Sequence, residues 1–383
     1  MTERLTTDVT IIGGGVAGCA AAVALRRVGL KVVLLEKGAC GAGASGVNFG
    51  GVRQQGRSLV ELPLARRSRA IWDKLNEMLG EDVEFEATGH IKLARSEADM
   101  AELERYARDA AEHGLELQLL GANAARADLP WLGEKVVGAS LCAEDGAANP
   151  RLVGPAFARL ARRLGADVRE HALVNAAARE GERFETRTDA LAVDSRFLVN
   201  AAGIGAGKVA SWFGEEVPLG PVVPNMLVTE PLPIFVTRSV GVCGGDVYVR
   251  QVSRGNVIMG GGRGWGDAEL LHSGPTTDQS LTGMRKTLDL VPALRGAHII
   301  RTWAGIDGQM PDRIPVIGFS ATTPDLVHAF GFSGHGFQLG PVVGEIIAEL
   351  IADGRSPSPI EPFAITRFAE ASVLPAAAAG VEH

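Results

Sequence analysis

Cysteine, lysine and aromatic residues are all scarce in this sequence, and each scarcity closes off a class of protein. The four cysteines, Cys19, Cys40, Cys142 and Cys243, form no CxxC pair and show no metal-ligand spacing. A disulfide framework is therefore excluded, no metal is expected, and reduced thiols fit a cytoplasmic location or a peripheral one at the inner face of the membrane. No block of Lys or Arg is long enough to follow a phosphate backbone, and the formal charge of -7 is spread along the chain. That argues against nucleic acid and for small-molecule partners. The longest apolar stretch, residues 340–352, contains Glu345 and Glu349 and is too short to cross a bilayer, so it reads as a buried helix and no transmembrane segment is expected. No signal peptide is expected either, because Asp8 precedes a strand of only four apolar-leaning residues. Lysine occurs only at 31, 37, 74, 92, 135, 208 and 286.

What is plentiful is glycine, at 49 residues, within a chain that is 46% apolar and only 5% aromatic. This mixture suits an α/β nucleotide-binding sheet with tight turns. At 383 residues the chain exceeds the size at which one core keeps growing, so two domains are expected. Residues 9–12 read as a strand, followed by a glycine turn, an Ala-rich helix to Arg27, a stop at Gly29 and a strand at 31–35: a βαβ unit. Residues 59–80 and 96–113 read as helices, with a strand at 89–94 between them. A helix at 155–164, strands at 167–174, 182–188 and 196–200, a β-rich stretch from 218 to 262, a strand at 326–329 and a helix near 338–352 complete the pattern. The Pro-rich and Ala-rich end is expected to fray.

Gly13, Gly15 and Gly18 form GxGxxG between a strand and a helix. The first glycine permits the turn, the second admits a diphosphate, and the third allows tight helix–strand packing. Glu36 ends the second strand 21 residues after Gly15, where a carboxylate can accept from ribose hydroxyls; an NADP site would prefer a basic group. FAD or NAD is favoured. The position at the extreme N-terminus favours FAD.

Further motifs follow in order: Gly43-Ala44-Ser45-Gly46-Val47-Asn48-Phe49-Gly50-Gly51, Asn200-Ala201-Ala202-Gly203, Trp303-Ala304-Gly305 with Pro311-Asp312 and Pro315-Val316-Ile317-Gly318, and Gly331-Phe332-Ser333-Gly334-His335-Gly336-Phe337. Together they resemble the D-amino-acid oxidase superfamily, especially its sarcosine oxidase and glycine oxidase group with the flavin subunits of opine, hydroxyproline and cyanide-forming glycine dehydrogenases. The resemblance covers about residues 8–355. It implies an α/β fold in which a glutathione-reductase-type Rossmann FAD-binding domain (1–85, 148–217 and 300–365) is interleaved with an antiparallel-sheet α+β substrate domain (86–147 and 218–299), leaving 366–383 as a tail. It also implies FAD contacts from Gly13, Gly15, Val16, Ala17, Gly18, Glu36, Lys37, Ala44, Ser45, Asn48, Gly50, Gly51, Val174, Ala202, Gly203, Gly305, Asp307, Gly334, His335, Gly336, Phe337 and Gln338. His335 is read as flavin-proximal and not as a base. The helix it precedes would aim its positive end at the flavin N1 and C2 carbonyl region.

The chain departs from the family pattern at the substrate clamp. The lysine that follows Ser-Gly-His-Gly-Phe in sarcosine oxidases is Gln338 here, and the arginine after Trp-Ala-Gly-Leu in glycine and D-amino-acid oxidases is Asp307. Arg53 is the first choice as replacement carboxylate clamp, with Arg250, Arg263 and Arg301 as alternatives, since a guanidinium can hold a carboxylate bidentately. Tyr248 either hydrogen-bonds the substrate or packs in the sheet. The oxygen-activating lysine of the oxidases would fall near residues 256–265, yet no lysine lies between Lys208 and Lys286. Slow reaction with oxygen is expected, and a different acceptor, such as a partner protein carrying iron–sulfur or flavin. No cysteine falls in 300–340, so noncovalent FAD is expected. The resulting expectation is a dehydrogenase that oxidises a C–N bond by hydride transfer to flavin N5. Its rivals are a hydroxy-acid dehydrogenase and a flavin-holding subunit that works only in a complex.

Overall fold

The structure, a computed structural model, describes residues 3–268 and 272–368. Two eight-stranded sheets organise it. In the first sheet Glu3–Ile12 lies between Leu191–Asn200 and Val32–Leu35, all parallel, and the parallel run continues to Asp167–Arg169 on one side and Leu326–Phe330 on the other. Val316–Phe319 closes one end antiparallel. Strands buried on both faces need continuous apolar runs, and Val32–Leu35 is buried at every position.

Helices Val16–Arg27, Pro150–Arg163 and Gly336–Asp353 cover this sheet and share one core with it. The first and last pack closely because a Cβ on Gly340 would lie 2.4 Å from Val16 Cγ1, and one on Gly344 would lie 2.5 Å from the Ala20 carbonyl carbon. No helix among the described residues is long and apolar enough to cross a membrane.

The second sheet runs in the order Ile299–Ala304, Pro224–Pro231, Asn256–Arg263, Tyr248–Gln251, Ser239–Val242, His90–Ala94, Gly138–Cys142, Gln118–Gly121. Six of its contacts are antiparallel; Ser239–Val242 and His90–Ala94 pair parallel, which joins two distant stretches of chain. Side chains alternate across it. Ile91, Leu93, Val240, Val249 and Met259 point to one face and form a core with Leu290 of helix Thr277–Leu290 and Ala125 of helix Ala122–Asp128. The opposite face carries the polar residues taken up below.

Several sequence expectations shift. The strand Ile299–Ala304 belongs to the second sheet, pairing with Pro224–Pro231, so the return to the first unit comes after residue 304 and not at 300. The helix expected at 155 starts at Pro150, where Asn149 caps it by accepting from Arg151 N; Pro155 lies inside. The strand expected over 167–174 stops at Arg169, and His171 turns with φ +57. Helix Thr277–Leu290 follows the β-rich stretch, in a region where the sequence pattern names no element. Of the tail, Ile365–Phe368 forms a 3-10 turn, while 369–383 lies outside the described residues.

Candidate active site

At the first strand's end the chain makes the turn its glycines demand. Gly13 has φ +109, and a Cβ there would sit 2.3 Å from the Ala201 carbonyl oxygen. One on Gly18 would lie 2.0 Å from the Gly13 carbonyl oxygen. Gly15 caps the helix without a side chain, and Val16 N–H donates to Ser45 Oγ at 3.0 Å. Ala17, partly exposed, and Gly18 complete a helix N-terminus suited to a diphosphate. Glu36 is half-buried and accepts from Gly14 N at 2.6 Å and Gly38 N at 2.7 Å. Its carboxylate is thus fixed at the strand end, with lone pairs left for ribose hydroxyls. Lys37 is exposed beside it. Val174 is half-buried on the segment whose Ala172 N donates to the Glu36 carbonyl. Ala202 and Gly203 follow Ala201 against the turn. The turn at Gly13 and the Glu36 carboxylate thus stand at the adjacent ends of the paired strands Glu3–Ile12 and Val32–Leu35.

The next wall is residues 44–57. Ala44 and Ser45 open the short helix Ala44–Val47. Asn48 closes it: its Nδ2 donates to the Ala44 and Ser45 carbonyls and its Oδ1 accepts from Gly50 N at 2.7 Å. Asn48 therefore shapes the loop with its own amide fully used. Gly50 adopts φ +83, and a Cβ there would meet the Ala148 carbonyl oxygen at 2.2 Å. Gly51 has only Phe49 nearby.

The third wall is the turn before the C-terminal helix. Gly334 is exposed, has φ +87, and would give a Cβ nothing within 4 Å. Asp307 holds it, accepting from Gly334 N at 2.7 Å and Gly308 N at 2.9 Å. With one backbone amide on each oxygen, Asp307 positions this turn. His335 is buried as the helix N-cap and places Nδ1 2.9 Å from Glu61 Oε1. Burial, reinforced by Arg57, brings the imidazole down to about 4 despite Glu61. It is a neutral ring donating to a carboxylate.

Three further residues expected at the cofactor are tightly packed within the chain. Gly305 is buried, and a Cβ there would strike Val47 at 2.0 Å. Gly336 faces Phe332, at 2.9 Å from a Cβ, and Phe337 packs on Trp72 with ring centroids 5.2 Å apart. Gln338 turns away: 0% exposed, it donates from Nε2 to the Ala65 carbonyl at 2.8 Å, and its own backbone carbonyl accepts from Ser68 and Trp72. The side chain at this position is directed into helix Leu62–Trp72, which removes Gln338 as a substrate contact.

Over the 44–57 loop lies the polar face of the second sheet. Register places Trp303, Met226, Gly260, Tyr248, Gly241, Lys92 and Ser140 in one row across seven strands. Trp303 Nε1 donates to the Val47 carbonyl at 2.9 Å. Tyr248 meets Phe49 edge-on at 4.9 Å and fills the space above Gly260, where a Cβ would lie 1.8 Å from its ring. Burial pushes its phenol up. Two residues along the same strand and face, Arg250 is 8% exposed, stacks 5.5 Å over Phe49, and encloses Nε with no hydrogen-bond partner. Burial lowers this guanidinium to about 10, still charged at neutral pH. Arg53, the first choice from sequence, is half-buried at the end of the loop, and burial lowers it too. Arg263 and Arg301 are exposed.

Sequence reasoning passed over Arg57, Glu61 and Lys92. Tyr248 and Arg250 share a face by simple alternation, a signal available in the strand itself. Lys92 stands in the row although it comes from a strand more than a hundred residues from the lysine-free interval; its Nζ lies 3.5 Å from Glu102.

The geometry agrees with what is known of similar chains. A subunit of opine oxidase from Rhizobium meliloti is 28% identical over 377 residues, covering 94% of this chain and 97% of that protein. Among solved structures, L-proline dehydrogenase from P. horikoshii superposes with a TM-score of 0.88 at 28% identity, covering 97% of this chain and 99% of that one. Glycine oxidase from Geobacillus kaustophilus does so with a TM-score of 0.87 at 25% identity, covering 95% and 99%. The family model of FAD dependent oxidoreductases named DAO matches residues 8–350. With the dinucleotide groove, the two helix N-termini and the second sheet standing over them, this chain belongs to the DAO family and is an FAD-dependent oxidoreductase.

Proposed function

We propose that this enzyme is a dehydrogenase that oxidises the C–N bond of an amino acid, a proline-like imino acid, an N-alkyl amino acid or an opine. It acts on CH–NH or CH–NH2 groups and passes the electrons to an acceptor other than oxygen. The observation that carries the reading is Arg250, a buried guanidinium with no ion pair among the described residues, placed with Tyr248 over the Phe49–Gly50 loop. A buried unpaired cation is unfavourable by several kcal/mol unless an anion joins it, and a substrate carboxylate is the fitting anion.

Bound noncovalently in the groove, the flavin supplies two-electron hydride acceptance. The chain's residues bind and orient. Arg250 fixes the carboxylate, Tyr248 presents its hydroxyl, and Phe49, Met226 and Trp303 give walls of low polarity that favour the neutral amine needed for loss of hydride. The relatives' names support the substrate class: opine oxidase, glycine oxidase and L-proline dehydrogenase are all named for carboxylated amines.

Two observations support an acceptor other than oxygen. No lysine occurs in Asn256–Arg263, and the ammonium of Lys92 faces Glu102. The similar chains of opine oxidase in Rhizobium meliloti and of sarcosine oxidase in Arthrobacter are by name subunits; a partner carrying iron–sulfur or flavin would serve as acceptor.

Anaerobic addition of proline, N-methylglycine, D-amino acids and opines to the FAD-loaded protein tests this. At least one is expected to bleach the flavin absorbance, with slow recovery in air and fast recovery with an artificial acceptor. Bleaching by 2-hydroxy acids and by no amine would overturn the assignment.

A further inference from the structure

The sheet face that carries Tyr248 holds a second ring that the proposed reaction leaves unused. His90, 6% exposed, belongs to strand His90–Ala94, and its ring leans over Gly241 of the neighbouring strand, with Nε2 3.0 Å from where a Cβ would stand. Gly241 pairs directly with Tyr248. Cross-strand partners have their Cβ atoms about 5 Å apart, so His90 Nε2 lies within about 8 Å of the Tyr248 Cβ. Tyr248 leans the other way, over Gly260, and two glycines thus let two rings lie against the sheet. One loop meets both: Phe49 touches Tyr248, and Gln55 touches His90.

The tautomer of His90 follows from its partners. Gln55, buried, donates from Nε2 to the His90 and Ser140 carbonyls at 3.2 and 3.1 Å, and its Oε1 accepts from Ser140 Oγ at 2.9 Å. Carbonyl oxygens can only accept, so the amide end that faces them is nitrogen. That same nitrogen lies 3.3 Å from His90 Nδ1, which must therefore accept, and the ring proton resides on Nε2. Burial, with Arg53, Lys92 and Arg57, holds the imidazole well below its ordinary 6.5, so it stays neutral. The charged groups that bear on it are all cations. Nε2–H is left as a fixed donor with no acceptor among the described residues, and a buried donor without an acceptor is unfavourable.

We infer that His90 is a specificity-determining residue whose Nε2–H donates to an oxygen of the substrate beyond its carboxylate, a ketone, hydroxyl or amide oxygen on the chain attached to the reacting carbon. This rests on the C–N oxidation proposed above. A substrate with only hydrocarbon at that point would cover the N–H and leave it without an acceptor, whereas an oxygen satisfies it, and the surrounding cations favour the electron-rich atom. Because the ring neither gains nor loses a proton, it selects the substrate and takes no part as acid or base.

Two anions of nearly the same shape, 4-oxopentanoate and 4-methylpentanoate, test this without an amine to oxidise. Each is titrated into the FAD-loaded protein by calorimetry. The oxo compound is expected to bind at least about tenfold more tightly. His90→Phe, which keeps a ring over Gly241, is expected to erase the preference, and His90→Gln, which restores an N–H, to recover part of it; flavin content and circular dichroism check folding. In the unmodified protein, nitrogen NMR shifts of labelled histidine are expected to show His90 neutral and protonated at Nε2 at neutral pH. Equal affinities in the unmodified protein would overturn the inference, as would a preference that survives His90→Phe or a ring protonated at Nδ1. If amines bleach the flavin while the oxo compound shows no advantage, C–N oxidation stands and the role of His90 falls. If the preference appears and no amine bleaches, the reverse holds.

Discussion

The two halves of the site are built on opposite principles. On the dinucleotide side the polar groups named above are anchored by the chain's own backbone: Glu36 accepts from two amides, Asp307 from two more, and Asn48 bonds within its own loop. On the sheet side, the Arg250 guanidinium is buried with Nε unpartnered. The first is a finished mould for a fixed cofactor, whose shape is set by backbone contacts. The second is left incomplete for a ligand that comes and goes, and its stabilisation arrives with the ligand. The cofactor side tolerates no change in volume, while the substrate side tolerates volume and is sensitive to charge.

Gly18→Val should break the contrast most severely. Its side chain would drive into the Gly13 carbonyl, and flavin retained after purification, measured as the absorbance ratio to protein, is expected to fall close to zero. A variant retaining stoichiometric FAD would show the groove to be far softer than its contacts imply.

Acidification comes next. His335 is held at about 4 against an ordinary 6.5, so between those values the unfolded chain takes up a proton that the native state refuses. Stability is therefore complete above about pH 6.5 and is lost as pH falls toward 4, by up to about 3 kcal/mol. His90, whose ring burial also pushes down, acts in the same direction. Melting temperatures from pH 8 to 4.5 should show the decline, and His335→Gln should flatten it; an unchanged slope would remove His335 as its source.

Lys92→Met sharpens the acceptor assignment. With its ammonium already facing Glu102, oxygen-dependent reoxidation is expected to change by less than about threefold; a hundredfold loss would make Lys92 an oxygen-activating group. The smallest effect is expected for Gln338→Leu. The Oε1 atom is enclosed without a partner, so stability should shift by no more than about 1 kcal/mol and kcat/KM by less than twofold, whereas a substrate contact would lose far more.

The same contrast governs what the sequence could reveal. The groove was readable because its requirements are local: Gly13, Gly15, Gly18 and Glu36 fall within one βαβ unit, and each residue type answers a steric or hydrogen-bonding need. The sheet face was not, because its row gathers Trp303, Met226, Gly260, Tyr248, Gly241, Lys92 and Ser140 from seven strands, and register between distant strands leaves no mark in a single stretch of chain. Position relative to a motif also misled. Gln338 follows the Gly334–Phe337 turn directly, yet the helical rotation of about 100° per residue carries its side chain to the face packed on Ala65.

The pairing of Glu3–Ile12 with Leu191–Asn200 bears on how the protein is made. The strand that opens the chain cannot find its second neighbour until nearly two hundred further residues have left the ribosome, about 10–40 s at ordinary rates of synthesis. Through that interval its Val9-to-Ile12 edge, apolar and open on one side, is a template for any other extended chain. Yield of this protein should therefore depend on chaperone supply and on slowed growth more than its native stability would suggest.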